Sequence, residues 1–180
     1  MLKPVKSKTF RADQARFAII ASEYNGLYVN AMLRAAKAEL NRAGAKDVSV
    51  IRVPGAFEIP VAAARLARLS SHATCRAVAP SEGGARITHH APFSALICLG
   101  VILRGETTHA AHIGEAVSQA LMQIQLEHEV PVIHEVLLLE NEAQARVRCL
   151  GHKHNRGAEA AQTALKMAKV MAWASDVICA

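Results

Sequence analysis

An unbroken apolar run, Ser94-Ala95-Leu96-Ile97-Cys98-Leu99, stops at Gly100, continues through Val101-Ile102-Leu103 and becomes a polar turn around Gly105. From Ile113 the period changes, with Ile113, Val117, Ala120, Leu121 and Ile124 recurring on one helical face. A strand apolar at nearly every position is covered on both sides, which is the habit of parallel sheets in α/β proteins. The pattern repeats. Arg16 to Ala21 is another buried run, Val48 to Val53 alternates as a strand, and Val130 to Leu139 reads as a further strand. Between them lie a helix through Val29, Met32, Leu33, Ala36 and Leu40 that stops at Gly44, and a helix from Val61 to Leu69. A last helix from about Ala158 carries Ala161, Ala164, Leu165, Ala168 and Met171 on one face. Strands alternating with helices predict an α/β, three-layer αβα sandwich with a four-stranded, mainly parallel sheet. Right-handed crossovers make it doubly wound and flavodoxin-like.

At 180 residues the chain is about one domain long. Residues 1–15 read as a flexible leader, 16–172 as the domain and 173–180 as a C-terminal tail. Within the domain, 70–92 lacks periodicity, is rich in Ser, Gly, Pro, Ala and His, and reads as an exposed insertion. A hydrophobic content of 52% excludes a mainly disordered chain. No apolar run approaches the roughly 18 residues of a membrane span, and the basic start lacks the core of a signal peptide. Cys75, Cys98, Cys149 and Cys179 have no metal-like spacing and read as free thiols, which points to a cytoplasmic, reducing setting. His89-His90 lack a third ligand at a useful spacing, so no metal is expected. The formal charge is +6, but Lys3, Lys6, Lys8 and Arg11 cluster in the leader and aromatics are 4%. No basic stripe interleaved with stacking rings exists, so nucleic acid is not the expected partner.

The chemistry concentrates where strands end. A glycine turn before a helix leaves the amides of Gly105, Glu106 and Thr107 without intrahelical partners at the positive end of the macrodipole, which suits phosphate. Thr107 or Thr108 would cap that helix, and His109 would sit in its first turn beside a bound anion. Ser22-Glu23-Tyr24-Asn25-Gly26 follows the first strand, where Tyr24 offers a face to a planar ligand or is simply a surface tyrosine. In Pro54-Gly55-Ala56-Phe57-Glu58-Ile59-Pro60, Ala56 and Phe57 present backbone groups at another strand end. Glu58 either accepts from ligand hydroxyls or complements its own helix N-terminus. His134 and Glu135 interrupt the last strand, either solvated at an edge or lining a cleft. Arg148, with its planar fork, suits bidentate phosphate contact, the alternative being a solvated helix arginine.

Four segments then line up in order: Val53 to Pro60 (VPGAFEIP), Leu99 to His109, Glu140-Asn141 with Gln144-Ala145 and Arg148, and Asn155-Arg156-Gly157 with Glu159-Ala160-Ala161. Together they resemble the lumazine synthase (6,7-dimethyl-8-ribityllumazine synthase) family, from about Arg16 to Met171 apart from the insertion. The resemblance implies a transferase of riboflavin biosynthesis. Such an enzyme condenses 5-amino-6-(D-ribitylamino)uracil with 3,4-dihydroxy-2-butanone 4-phosphate and releases phosphate and water, without a cofactor. It implies that Tyr24, Ala56, Phe57, Glu58, Val101, Ile102, Leu103 and His134 hold the pyrimidine and ribityl chain. Gly105, Glu106, Thr107 and Arg148 would hold the phosphate, with His109 and Arg148 as the catalytic groups. It also implies a homopentamer with active sites between neighbouring subunits, some family members assembling further into icosahedral shells.

The chain departs from the family pattern in places. His134-Glu135 stand where Phe-Gly is usual, Ala110-Ala111 replace an aromatic and an acidic residue, and Leu138-Leu139 replace strand threonines. These changes leave a non-catalytic flavin or lumazine binder, or a shell-forming protein, as the alternative readings on the same scaffold.

Overall fold

The computed structural model of the chain describes residues 12, 14–74, 92–151 and 154–178. The strands are β1 (Arg16–Ser22), β2 (Asp47–Val53), β3 (Ala95–Leu103) and β4 (Val132–Leu139). The helices are α1 (Gly26–Arg42), α2 (Ile59–Thr74), α3 (His109–His128), α4 (Glu142–Ala145) and α5 (Arg156–Ile178). The sheet is four-stranded in the order β2-β1-β3-β4, and every pairing is parallel. This is the doubly wound αβα sandwich expected from the alternation of runs, with the strand order reversing between β1 and β3.

Each strand feeds two cores. Phe17, Ile19 and Ala21 on β1, with Ile97 and Leu99 on β3, pack against Val29, Met32, Ala36 and Leu40 of α1 and Ala160, Ala161, Ala164 and Ala168 of α5. Their neighbours Ala18, Ile20, Leu96 and Cys98 point the other way, onto Ile59, Ala63 and Ala67 of α2 and Val117, Leu121 and Ile124 of α3. Burial on both faces is why the runs read as continuous rather than alternating. The alanines of α5 bring it close to α1. At Gly157 an added Cβ would lie 2.0 Å from the Met32 carbonyl oxygen, so only hydrogen fits there.

One mismatch of lengths shapes the site. β1 pairs with β3 only from Phe17↔Ala95 to Ala21↔Leu99, while β3 continues to Leu103 beside β4 alone. The chain leaves β1 at Ser22, so the far side of Gly100–Leu103 loses its strand neighbour and a crevice opens there.

Several expected boundaries shift. The 1–15 leader is not wholly separate, because Ala12 is buried and its N–H donates to the Ala43 carbonyl at 2.8 Å. The second helix runs on from Leu69 to Thr74, into the stretch read as an insertion. Ser70 is buried there, donating to the Leu66 carbonyl (3.0 Å) and accepting from the Phe93 N–H (3.1 Å). Residues 75–91, with Cys75 and His89-His90, lie outside the described residues, as does Cys179. The helix α5 continues to Ile178, so 173–178 is helix rather than tail. His134 and Glu135 do not interrupt β4, which stays in register from Val132 to Leu139. No described helix is long and apolar enough to cross a membrane.

Candidate active site

The crevice beyond β1 is a cleft of about 590 Å³ at the carboxyl ends of β1 and β3, the strand-order reversal where ligands bind in open α/β sheets. It gathers Tyr24, Ala56, Phe57, Glu58, Val101, Ile102, Leu103, Gly105, Thr107 and His109, ten of the residues singled out from sequence. Their convergence follows from chain geometry. The loop after β1 carries Tyr24, a single 3-10 turn (Ala56–Glu58) after β2 carries the Ala-Phe-Glu segment, and the end of β3 leads into α3.

Two contacts hold this wall. Asn25 adopts the left-handed conformation (φ 55°), a turn asparagine tolerates better than most residues. Its Nδ2 donates to the Val101 carbonyl at 2.8 Å, on the stretch of β3 that β1 has abandoned. Sequence reading missed Asn25, whose only signal was its place before Gly26 in a polar turn. Gly55 lets two side chains close in, since a Cβ there would lie 2.8 Å from Glu58 Oε2 and 3.2 Å from Tyr24 Cδ2. The Tyr24 and Phe57 side chains remain largely exposed at the rim.

The opposite wall is the start of α3. Gly105, Glu106 and Thr107 are exposed, and their amides have no hydrogen-bond partner among the described residues. Thr108 is the N-cap residue, but its side chain makes no capping bond; Thr107 Oγ1 accepts from the His109 N–H instead, at 3.4 Å. His109 begins the helix and is exposed toward the cleft. Arg104 turns away. Its Nη1 reaches both Glu140 oxygens at 2.9 and 3.0 Å, and its N–H donates to the Leu139 carbonyl, which ties the loop to the end of β4.

His134 and Arg148 are not brought to this cleft within one chain. His134 lies on β4, the edge strand of the sheet, and Arg148 on the π-helical turn Arg146–Leu150 that follows α4. The motif around Arg148 is mostly a cap. Asn141 Oδ1 accepts from the Gln144 N–H (3.0 Å) and Gln144 Oε1 accepts from the Glu140 N–H (3.1 Å), a variant of the capping box whose return bond reaches the residue before the N-cap of α4. The Arg148 guanidinium is exposed and has no ion-pair partner among the described residues. The Asn155-Arg156-Gly157 segment is likewise a joint. Asn155 Nδ2 donates to the Cys149 carbonyl, and its Oδ1 accepts from the Gly157 N–H at 2.9 Å.

His134 is exposed, with Nε2 2.9 Å from Ser118 Oγ on α3. The Ser118 hydroxyl also lies 2.7 Å from the Gly114 carbonyl, so it bridges the α3 backbone and the His134 ring. Glu135, on the opposite face, is buried and accepts two bonds from Arg156: Nε at 2.9 Å and Nη2 at 2.8 Å. Burial pushes its carboxyl up to about 7 against the pull of Arg156 and Arg148, with Glu159 adding to the rise. Burial likewise raises the free thiols of Cys98 and Cys149, the latter to about 11, so neither is a ready nucleophile. Among the described residues no group of three or more His, Cys, Asp or Glu is placed to hold a metal ion.

The profile of the 6,7-dimethyl-8-ribityllumazine synthase family matches residues 14–172. The chain is 36% identical over 163 residues to the 6,7-dimethyl-8-ribityllumazine synthase of Xanthomonas oryzae pv. oryzae (strain PXO99A), covering 89% of this chain and 92% of that one. The enzyme of the same name from Stenotrophomonas maltophilia (strain R551-3) is 34% identical over 161 residues, covering 88% and 90%. With its cleft at the β1/β3 reversal and its four motifs on the elements described, the chain belongs to the 6,7-dimethyl-8-ribityllumazine synthase family, a family of transferases.

Proposed function

We propose that the chain joins 5-amino-6-(D-ribitylamino)uracil to 3,4-dihydroxy-2-butanone 4-phosphate, giving 6,7-dimethyl-8-ribityllumazine, phosphate and water. The observation that carries this reading is the gathering of Tyr24, Phe57, Glu58, Val101–Leu103, Thr107 and His109 around one cleft. The rim aromatic Tyr24 suits stacking on a pyrimidine, and Glu58 suits accepting from ribityl hydroxyls. The amides of Gly105, Glu106 and Thr107 at the start of α3 suit a phosphate dianion.

Such a dianion needs a cation, and the exposed Arg148, on the π-helical turn after α4, does not line the cleft of its own chain. We therefore infer that Arg148 and His134 of a neighbouring copy complete the site, in a homopentamer. Exposed apolar side chains accompany this reading: Met122 and Leu126 on the outer face of α3, and Phe57 and Val61 beside the cleft.

In the proposed reaction the pyrimidine's primary amine attacks the ketone and loses water to form an imine. Phosphate then leaves, and the ribityl-bearing amine closes the ring with loss of a second water. Holding both reactants in one cleft supplies much of the acceleration. His109 moves protons in imine formation and elimination. The amides and Arg148 stabilise the charge gathering on the leaving phosphate.

The test is a cofactor-free assay of the purified protein with both substrates and EDTA, following lumazine absorbance and phosphate release. One phosphate per lumazine is expected. Absence of turnover in a preparation that binds riboflavin or lumazine tightly would replace this reading with a binding protein on the same scaffold.

A further inference from the structure

Glu135 is an acidic residue where the strand pattern calls for an apolar one, and what it holds is unusual. Arg156 spends three of its five N–H donors on carboxylates: two on Glu135, and Nη1 on Glu159 Oε2 at 2.6 Å. The Glu135 side chain is 8% exposed and that of Arg156 34%, so the bidentate pair is largely shielded from water and from salt. Arg148, one turn beyond α4, feels the same carboxylate. The charged groups facing Glu135 are thus Arg156 and Glu159 from α5 and Arg148 from the π-helical turn, with the neutral Cys149 thiol beside them. Two carboxylates and two guanidinium groups sum to zero. Arg148 alone keeps its donors free, because Arg156 is tied inward by the other two.

We propose that Glu135 is a positioning residue that sets the charge of the phosphate-binding surface: it neutralises Arg156 and leaves Arg148 as the single cation offered to a tetrahedral dianion. The inference rests on the assignment of Arg148 to phosphate made above. A weakly held dianion suits a reaction that must release phosphate at every turnover. Removing the Glu135 charge gives the surface a net positive charge and frees one of the two Arg156 donors held by the carboxylate, so a dianion binds more tightly.

Sulfate is the probe, because it stays a dianion from pH 5.5 to 8.5 whereas phosphate changes charge in that range. Its binding is read on the full chain in two ways: as competitive inhibition against the phosphorylated substrate, and as the rise in Tm with sulfate concentration. Glu135→Gln keeps the side-chain shape and is expected to tighten sulfate binding about threefold to tenfold at pH 8. Because the native carboxyl itself takes up a proton near neutrality, the gap between native and variant proteins should close below about pH 6. Glu159→Gln, whose side chain is 42% exposed, should shift sulfate binding the same way by a smaller factor and keeps the test open if Glu135→Gln does not fold. Loss of sulfate binding in Arg148→Ala supports the phosphate assignment; sulfate binding unchanged by that substitution would remove the assignment and with it the basis of this proposal. Sulfate binding that depends on Arg148 but is equal in native, Glu135→Gln and Glu159→Gln proteins at pH 8 would overturn the role given to Glu135 alone.

Discussion

The close crossing of α1 and α5 makes Gly157→Ala the most informative single perturbation of the fold. A Cβ at Gly157 would sit 2.0 Å from the Met32 oxygen, 2.5 Å from its carbonyl carbon and 2.6 Å from its Cα. All three are backbone atoms, so no side chain can rotate away. Restoring even a 3.0 Å contact requires the helices to part by about 1 Å. A gap of that size forfeits a quarter to a half of the dispersion well for each atom pair across it. The pairs at stake are those of Val29, Met32 and Ala36 with Ala160, Ala161 and Ala164, which have no length with which to refill the space. Overpacking alone costs about 1–3 kcal/mol. With the lost contacts we expect a destabilisation of about 3–5 kcal/mol, a large share of the 5–15 kcal/mol typical of a domain. At roughly 2–4 °C per kcal/mol, Tm should fall by about 6–20 °C in thermal unfolding followed by circular dichroism. The control is the same substitution on α3. At Gly114 a Cβ meets only Leu138 Cδ2 at 3.5 Å and Leu138 Cβ at 3.6 Å, both ordinary contacts. Gly114→Ala should therefore gain up to about 1 kcal/mol of helix propensity. Equal Tm values for Gly157→Ala and native protein would refute the α1–α5 crossing as described.

Other perturbations bear on the site. His109→Ala should lower kcat about tenfold to a hundredfold while leaving measurable activity, because positioning and the phosphate site remain; an unchanged kcat would remove His109 from proton transfer. Arg148→Ala should raise KM for the phosphorylated substrate about tenfold or more with little change for the pyrimidine. Mixing the two impaired variants under subunit exchange should raise activity above that of either alone if the residues meet across copies, and no such rise should appear if they act within one chain. Gly55→Ala should raise KM for the pyrimidine, since Glu58 and Tyr24 must both shift, and an unaltered KM would mean that their approach is unimportant. Glu135 gives a pH signature. Its folded pKa of about 7 lies above the ordinary 4.5, so the folded state binds the proton more tightly, and the resulting stability is full below about pH 4.5 and lost as pH rises through 7. The loss is on the order of 3 kcal/mol, and denaturant titrations at pH 5 and 8 should show it in native protein and not in Glu135→Gln.

The layers and the strand-to-helix junctions were legible because burial on two faces writes continuous apolar runs such as Arg16–Ala21 and Ala95–Leu99. The cleft residues were legible because they cluster in short segments beside glycine or proline, as in Pro54–Pro60 and Leu103–His109. Other features depend on contacts that join distant segments. Asn25 finds Val101 across 76 positions only because β1 ends early, a matter of strand length and not of local propensity. Glu135 read as an interruption of β4, yet Arg156, 21 residues on, satisfies it. Asn141 and Asn155 belong to motifs associated with chemistry, while their side chains cap helix starts; an asparagine at a turn carries the same signature for either task. Ala12 shows no periodicity at all, and its burial against Ala43 follows from where the loop after α1 passes.

Ser70 has a use in protein engineering. One hydroxyl binds the carbonyl of Leu66 on the way out of α2 and the amide of Phe93 just before β3. The two anchor points are thereby fixed independently of whatever sequence joins them. Closing a longer connection between fixed ends costs only logarithmically, about 0.6 kcal/mol for each doubling of its length. The Ser70–Phe93 junction is thus a natural port for grafting: peptides or small domains can be exchanged there while the sheet, the cleft and the α1–α5 crossing keep their geometry.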